Sequence, residues 1–115
     1  MSILNSIKQL LGMTEDYSPF DNELILHINS VFMILHNLGV GPDTPYKIVD
    51  STNTWDEFTD SKDTIEAVKT YVYLKTRLIF DPPTSSIVLE SYNRIISELE
   101  WRLNVIDNKE EESDE

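Results

Sequence analysis

The residues that could do chemistry are few. The chain carries two histidines, His27 and His36, and no cysteine. They stand nine residues apart on one predicted helix. That is about 180° of rotation, so the imidazoles face opposite ways and cannot share a metal. A zinc-type pair needs i,i+4 spacing. Glu23 precedes His27 by one turn, the spacing of an ordinary surface pair. The glycines are Gly12, Gly39 and Gly41, too scattered for a phosphate-cradling loop. No Ser-His-Asp or Cys-His set assembles from the remainder. Carboxylates abound, 21 acids against 9 bases, so their spacing carries no information. No catalytic residue, metal ligand or cofactor is expected, and the chain is not expected to be an enzyme.

The same acids bound the function. A formal net charge of −12 argues against gripping a phosphate backbone, because that affinity comes from Lys and Arg replacing counterions. It suits a protein that sits near nucleic acid without sticking to it. At 115 residues the chain fits one domain with a real core. Without cysteine there is no disulfide or thiolate site. The longest apolar run, Val31 to Leu35, is far too short to span a bilayer. Asn5, Lys8 and Gln9 break the apolar pattern of Met1–Met13, so no signal peptide is read there. A protein used without export is expected.

The elements that must position any site are helices. Ser61 to Ile106 reads as a helical hairpin. Ile65, Val68, Tyr71, Val72, Leu78 and Ile79 make one stripe; Val88, Tyr92, Ile95, Ile96, Leu99, Leu103 and Ile106 make the other. Asp81-Pro82-Pro83 must stop the first helix near Phe80. Thr84, Ser85 and Ser86 offer caps for the second.

The rest of the chain has to cover this hairpin. Ile3, Leu4, Ile7, Leu10 and Leu11 predict a short amphipathic helix stopped by Gly12, read as a core-covering segment. Ser18-Pro19-Phe20-Asp21 predicts a capped helix start. The helix after it carries Leu24, Ile25, Ile28, Val31, Phe32, Leu35 and Leu38, and ends at Gly39. Its wide stripe marks it as the most buried, with Met33 and Ile34 off the stripe. Asp43 to Asp60 is a long irregular loop in which Tyr46–Asp50 has strand character but no partner. Thr54-Trp55-Asp56-Glu57 matches a capping box and predicts one helical turn through Phe58. Trp55 and Phe58 are expected to plug that loop onto the body.

The fold class is therefore all-α: a small four-helix domain with a long third–fourth helix hairpin and one long irregular loop. Residues 1–106 form the domain, and 107–115 an acidic tail expected to be disordered. On the last helix Glu90 can pair with Arg94, and Glu98 with Arg102. Trp101 and Val105 lie off its internal stripe, and an exposed Trp points to a protein contact. Arg94, Trp101, Arg102 and Val105 are the candidate interface residues.

Three stretches, ELILHINSVFMILHNLGVGP, EAVKTYVYLKTRLIFDPP and SYNRIISELEWRLNV, follow one another in a distinctive order. Residues 14–106 resemble the small helical head–tail connector proteins of tailed bacteriophages and prophages, also called adaptor or head-completion proteins. The Asp43–Asp60 insertion with Trp55 departs from the shorter loops of simpler members. The resemblance implies a structural subunit of the virion, assembled in the host bacterial cytoplasm. It implies a ring beneath the portal protein that extends the DNA channel and docks a further connector or tail protein. The final helix and the segment after it would face the portal. An acidic lining suits a channel in which DNA must slide. The alternative is an acidic helical interaction protein, a DNA-mimic-like inhibitor or a regulatory subunit. A mimic needs regular carboxylates on a folded face, whereas the densest acids here lie in the tail.

Overall fold

A computed structural model describes residues 1–113, with side chains described through Asn104. Its helices are α1 (Ile3–Leu10), α2 (Asp21–Asn37), α3 (Trp55–Phe58), α4 (Lys62–Phe80) and α5 (Ser86–Ser113). No strand occurs among the described residues; one isolated bridge joins Ser2 and Thr54. The domain is all-α, with the predicted single turn as α3.

α4 sits in the middle. Ser61 caps it, accepting from the Thr64 N–H at 3.4 Å. The Asp81-Pro82-Pro83 elbow ends it at Phe80, as the proline argument requires. Val68, Tyr71 and Val72 are fully buried, and α1, α2 and α5 all pack against this helix. Ser85 starts α5, its hydroxyl accepting from the Val88 N–H at 3.4 Å.

α1 begins at Ser2, whose hydroxyl accepts from the Asn5 N–H at 3.2 Å. Ile3, Leu4 and Ile7 are buried, so the helix covers the core as expected. Lys8, although polar, is only 1% exposed. Its ammonium lies 2.9 Å from Asp21 Oδ1 and donates to the Glu15 carbonyl at 2.9 Å. A buried ammonium persists only when its donors are met, so the α1–α2 link is folded around it. Ser18 does not cap α2: a turn from its carbonyl to the Asp21 N–H comes first, and Phe20 takes the N-cap place. The Asp21 carboxylate pairs with Lys8 and makes no capping box with Ser18.

The long loop is held by aromatic rings. Phe32 on α2 is the hub, with ring centroids of Tyr46 at 5.2 Å, Phe58 at 5.0 Å and Trp55 at 6.4 Å. Trp55 and Phe58 are buried, which makes them loop anchors. Asn29 clamps the backbone of Ile48, donating to its carbonyl at 3.0 Å and accepting from its N–H at 2.8 Å. That clamp supplies the partner a lone strand would lack. Gly41 is required, because its φ is +98° and a Cβ there would run into the Phe58 ring.

The last helix departs from expectation in register. Ile96 is 6% exposed and Leu103 buried, but Ile95 is 37% exposed and Val88 equally open. α5 packs mainly on α4, and a single neighbour covers only a narrow stripe; of the adjacent pair Ile95 and Ile96, one turns out. Ile79 on α4 is likewise exposed rather than on the buried stripe. The helix runs past Ile106 to Ser113, with no Gly or Pro to stop it. Among the described residues the ion pairs are Lys8–Asp21 and His27–Glu23. The expected Glu90–Arg94 and Glu98–Arg102 pairs do not close. Val105 and the acidic tail 107–115 lie outside the described side chains.

Ile28→Ala and Ile96→Ala should each destabilise the fold by about 2–5 kcal/mol. Ile95→Ala should cost less than about 1 kcal/mol. Urea unfolding of the three variants checks the assignment, and equal costs at positions 95 and 96 would refute it.

Candidate functional site

The chemistry-bearing residues do not converge. His27 Nε2 lies 3.6 Å from Glu23 Oε1, the surface pair that the spacing suggests. His36 stands elsewhere on the same helix, α2. Among the described residues no group of three or more His, Cys, Asp or Glu could hold a metal ion. What the fold presents instead is uncovered surface.

The first such surface is the outer face of α5. Ile87, Arg94 and Trp101 follow one another in steps of seven, which keeps them on one side of a helix. Ile87 is 75% and Trp101 71% exposed. Arg94 is exposed too, and its guanidinium meets no partner among the described residues. Of the predicted interface residues, Arg94 and Trp101 therefore share this ridge. Arg102 turns the other way and lines a cavity against α4. Val105 lies outside the described side chains. The sequence reading missed Ile87, although its outward position follows from the same seven-residue step.

The second surface is a groove. On α4, Asp63, Glu66, Thr70 and Tyr73 occupy the face left free by α2 and the core. A cavity of about 370 Å³ between α1 and α4 is lined by Met1, Ser6, Gln9, Leu10, Glu66, Lys69, Thr70 and Tyr73. A cavity of about 270 Å³ between α4 and α5 is lined by Asp63, Glu66, Ala67, Thr70, Leu99 and Arg102. The two share Glu66 and Thr70, so they form one groove with α4 as floor and α1 and α5 as walls. The Glu66 carboxylate meets no partner among the described residues. Sequence reasoning had no way to find this groove, because three separate helices build it.

The walls are fixed by polar bonds. The Tyr71 hydroxyl donates to Glu100 Oε2 at 2.9 Å and ties α4 to α5. Burial first, then that carboxylate, holds the phenol above its ordinary range. Arg77 donates to the Tyr73 hydroxyl at 2.8 Å and stacks over the Tyr92 ring at 5.6 Å. In the long loop, Glu57 closes the turn before α3. Its Oε1 accepts from the Thr54 N–H at 2.8 Å, from Asn53 Nδ2 at 3.2 Å and from the Tyr46 hydroxyl at 3.0 Å. These bonds, the Thr54 N–H foremost, hold the Glu57 carboxyl below its usual range. Burial, then Glu57, pushes the Tyr46 phenol up to about 12.

A family model described as phage connector protein matches residues 3–110. No curated protein and no solved structure matches the chain. No helix among the described residues is long and apolar enough to cross a membrane.

The Glu57 bonds carry a pH signature. A carboxyl lowered on folding stabilises the fold above its ordinary value of about 4.3, and the contribution is lost as pH falls through the folded value. A phenol raised on folding stabilises below about 10, and the contribution is lost as pH climbs through about 12. The 43–58 loop should therefore loosen at both extremes before the helical core does. Fluorescence of the buried Trp55, read in a Trp101→Phe background, should change below pH 4 and above pH 10 while helicity holds. In Glu57→Ala the acid-side change should vanish.

Proposed function

The chain belongs to the phage connector protein family, and from that premise we propose that it is a structural head–tail connector subunit. In this reading copies form a ring under the portal protein, extend the DNA channel and dock a further connector or tail protein. The subunit performs no catalysis and works in the virion after assembly in the host bacterial cytoplasm.

The observation that best supports this is the uncovered α5. A folded monomer gains nothing from leaving a Trp 71% exposed on the ridge with Arg94, which meets no acid among the described residues. Exposed aromatic and Arg side chains are the usual anchors of protein contacts. We assign the C-terminal end of α5, with Trp101, Arg102 and Val105, to the portal side. The acidic segment from Asp107 would complement a basic groove on that partner. The charge of −12 suits a wall past which DNA moves without being held.

Two outcomes test this. No tight binding to duplex DNA is expected at physiological salt, because like charge repels; micromolar retention in a mobility-shift assay would contradict it. Trp101→Ala with Arg102→Ala should leave helicity and melting nearly unchanged while weakening association with portal. Unchanged portal binding by that variant, and by a chain ended at Ile106, would move the interface elsewhere.

A further inference from the structure

Four charged side chains of α5 stand without partners. Glu90, Arg94, Glu98 and Arg102 make no ion pair or hydrogen bond among the described residues. They come in equal numbers of each sign, on a chain whose net charge is −12. The outer side of α5 is thus locally neutral, and like copies repel little across it.

A second regularity lies on the same side. From Ser91, steps of three and four run through Arg94, Glu98 and Trp101. That is the spacing of a coiled-coil seam. The seam is symmetric about residue 96 in position and complementary in kind. Arg94 and Glu98 lie two residues to either side of it, a cation against an anion. Ser91 and Trp101 lie five residues to either side, the smallest side chain of the seam against the largest. The Ser91 hydroxyl already donates to the Ile87 carbonyl at 3.1 Å, so a ring can cover it without stranding a donor.

We propose that the outer face of α5 pairs with the same face of a second copy, antiparallel, about a two-fold axis beside residue 96. Each Arg94 then meets the second copy's Glu98, and each Trp101 lies over the second copy's Ser91. Both matches occur twice, as an isologous contact requires. Ile87, Arg94 and Trp101 are exposed, so no described helix stands in front of this face, and the two bodies lie on the outer sides of the pair. The charges in register select the occupant. A parallel copy sets Arg94 against Arg94 and Glu98 against Glu98, and a partner of one sign repels half of the seam. An antiparallel copy satisfies both charges. The seam is short, so the pair is weak and reversible. The proposal goes beyond the connector reading and does not rest on it. Where that reading gives Trp101 to the portal, pairing and portal docking exclude each other, and the free subunit keeps its ridge covered until the portal takes it.

Charge exchange tests the register. The wild-type chain should dimerise reversibly at sub-millimolar concentration in sedimentation equilibrium. Arg94→Glu sets Glu against Glu in both layers, and Glu98→Arg sets Arg against Arg. Each variant, checked for folding by circular dichroism, should self-associate about tenfold or more weakly. Mixed in equal amounts, the two should recover the dimer, because every layer of the mixed pair is again Arg against Glu. Spin labels on Ser86→Cys and, separately, on Asn93→Cys read the direction, since the chain has no native cysteine. Pairing about residue 96 separates the two labels of a dimer along the helix axis by about 30 Å at position 86 and about 9 Å at position 93. A wild-type chain that stays monomeric, a mixture that does not recover, or equal separations at the two positions would each overturn the pairing. The connector reading would survive any of these results, because none of them measures portal binding.

Discussion

One helix carries the structure. α4 must satisfy α1, α2 and α5 at once, and its sequence divides accordingly. Val68, Tyr71, Val72 and Leu74 give it a buried arc far wider than the stripe of a surface helix. Tyr71 is the joint between its neighbours. Its ring is fully buried, and its hydroxyl reaches Glu100 on α5. A buried phenol needs an acceptor, and a carboxylate is a strong one. The position of α5 is thus dictated by a polar bond as well as by apolar area. The arc of α4 that remains holds Asp63, Glu66, Thr70 and Tyr73, and it becomes the groove floor because no described element covers it.

What could be read from the sequence was whatever depended on neighbours along the chain. The Pro-Pro elbow, the Gly39 stop and the Thr54–Glu57 capping box all act within a few residues. Each follows from backbone rules that need no tertiary context. Asn29 and Lys8 could not be read in this way. An Asn in a helix looks like any polar surface residue, and only the packing of the loop reveals that it holds Ile48. Lys8 looks like a break in an apolar pattern. It proves to be the buried post around which Glu15 and Asp21 are arranged. Ser18 is not the cap, because its carbonyl takes the Asp21 N–H in a turn and the helix starts one turn later, after Phe20.

The candidate site divides along the same line. The exposure of Trp101 was legible, because distance from a helix's apolar stripe is a property of spacing, whereas Arg94 was read as a partner of Glu90 and stands free of it. Arg102 was legible as exposed but not as part of a groove, whose other members come from α1 and α4. The stripe on α5 was read too wide. Two adjacent isoleucines cannot both face a single neighbour, and periodicity alone does not say which one does. Ile95 and Ile96 both stand three or four residues from Tyr92 and Leu99, and only the packing, which buries Ile96 with Leu103, settles it.

The uneven coverage of α5 is itself informative. A chain that only had to fold would gain by making Ile87, Ile95 and Trp101 polar, because exposed apolar residues invite aggregation. With a net charge of −12, copies of this protein repel one another at long range. Screening leaves that repulsion weak beyond about 8 Å at physiological ionic strength. Like charge opposes association at long range, so only short-range contacts between matched surfaces can overcome it. Exposed apolar side chains are safe under those conditions only if the matching surface is specific. An arginine placed midway between Ile87 and Trp101 supplies that specificity, because burying it without a carboxylate would cost more than the flanking apolar contacts return. Under the connector reading proposed above, that combination would make the α5 ridge selective for a partner surface that offers a carboxylate.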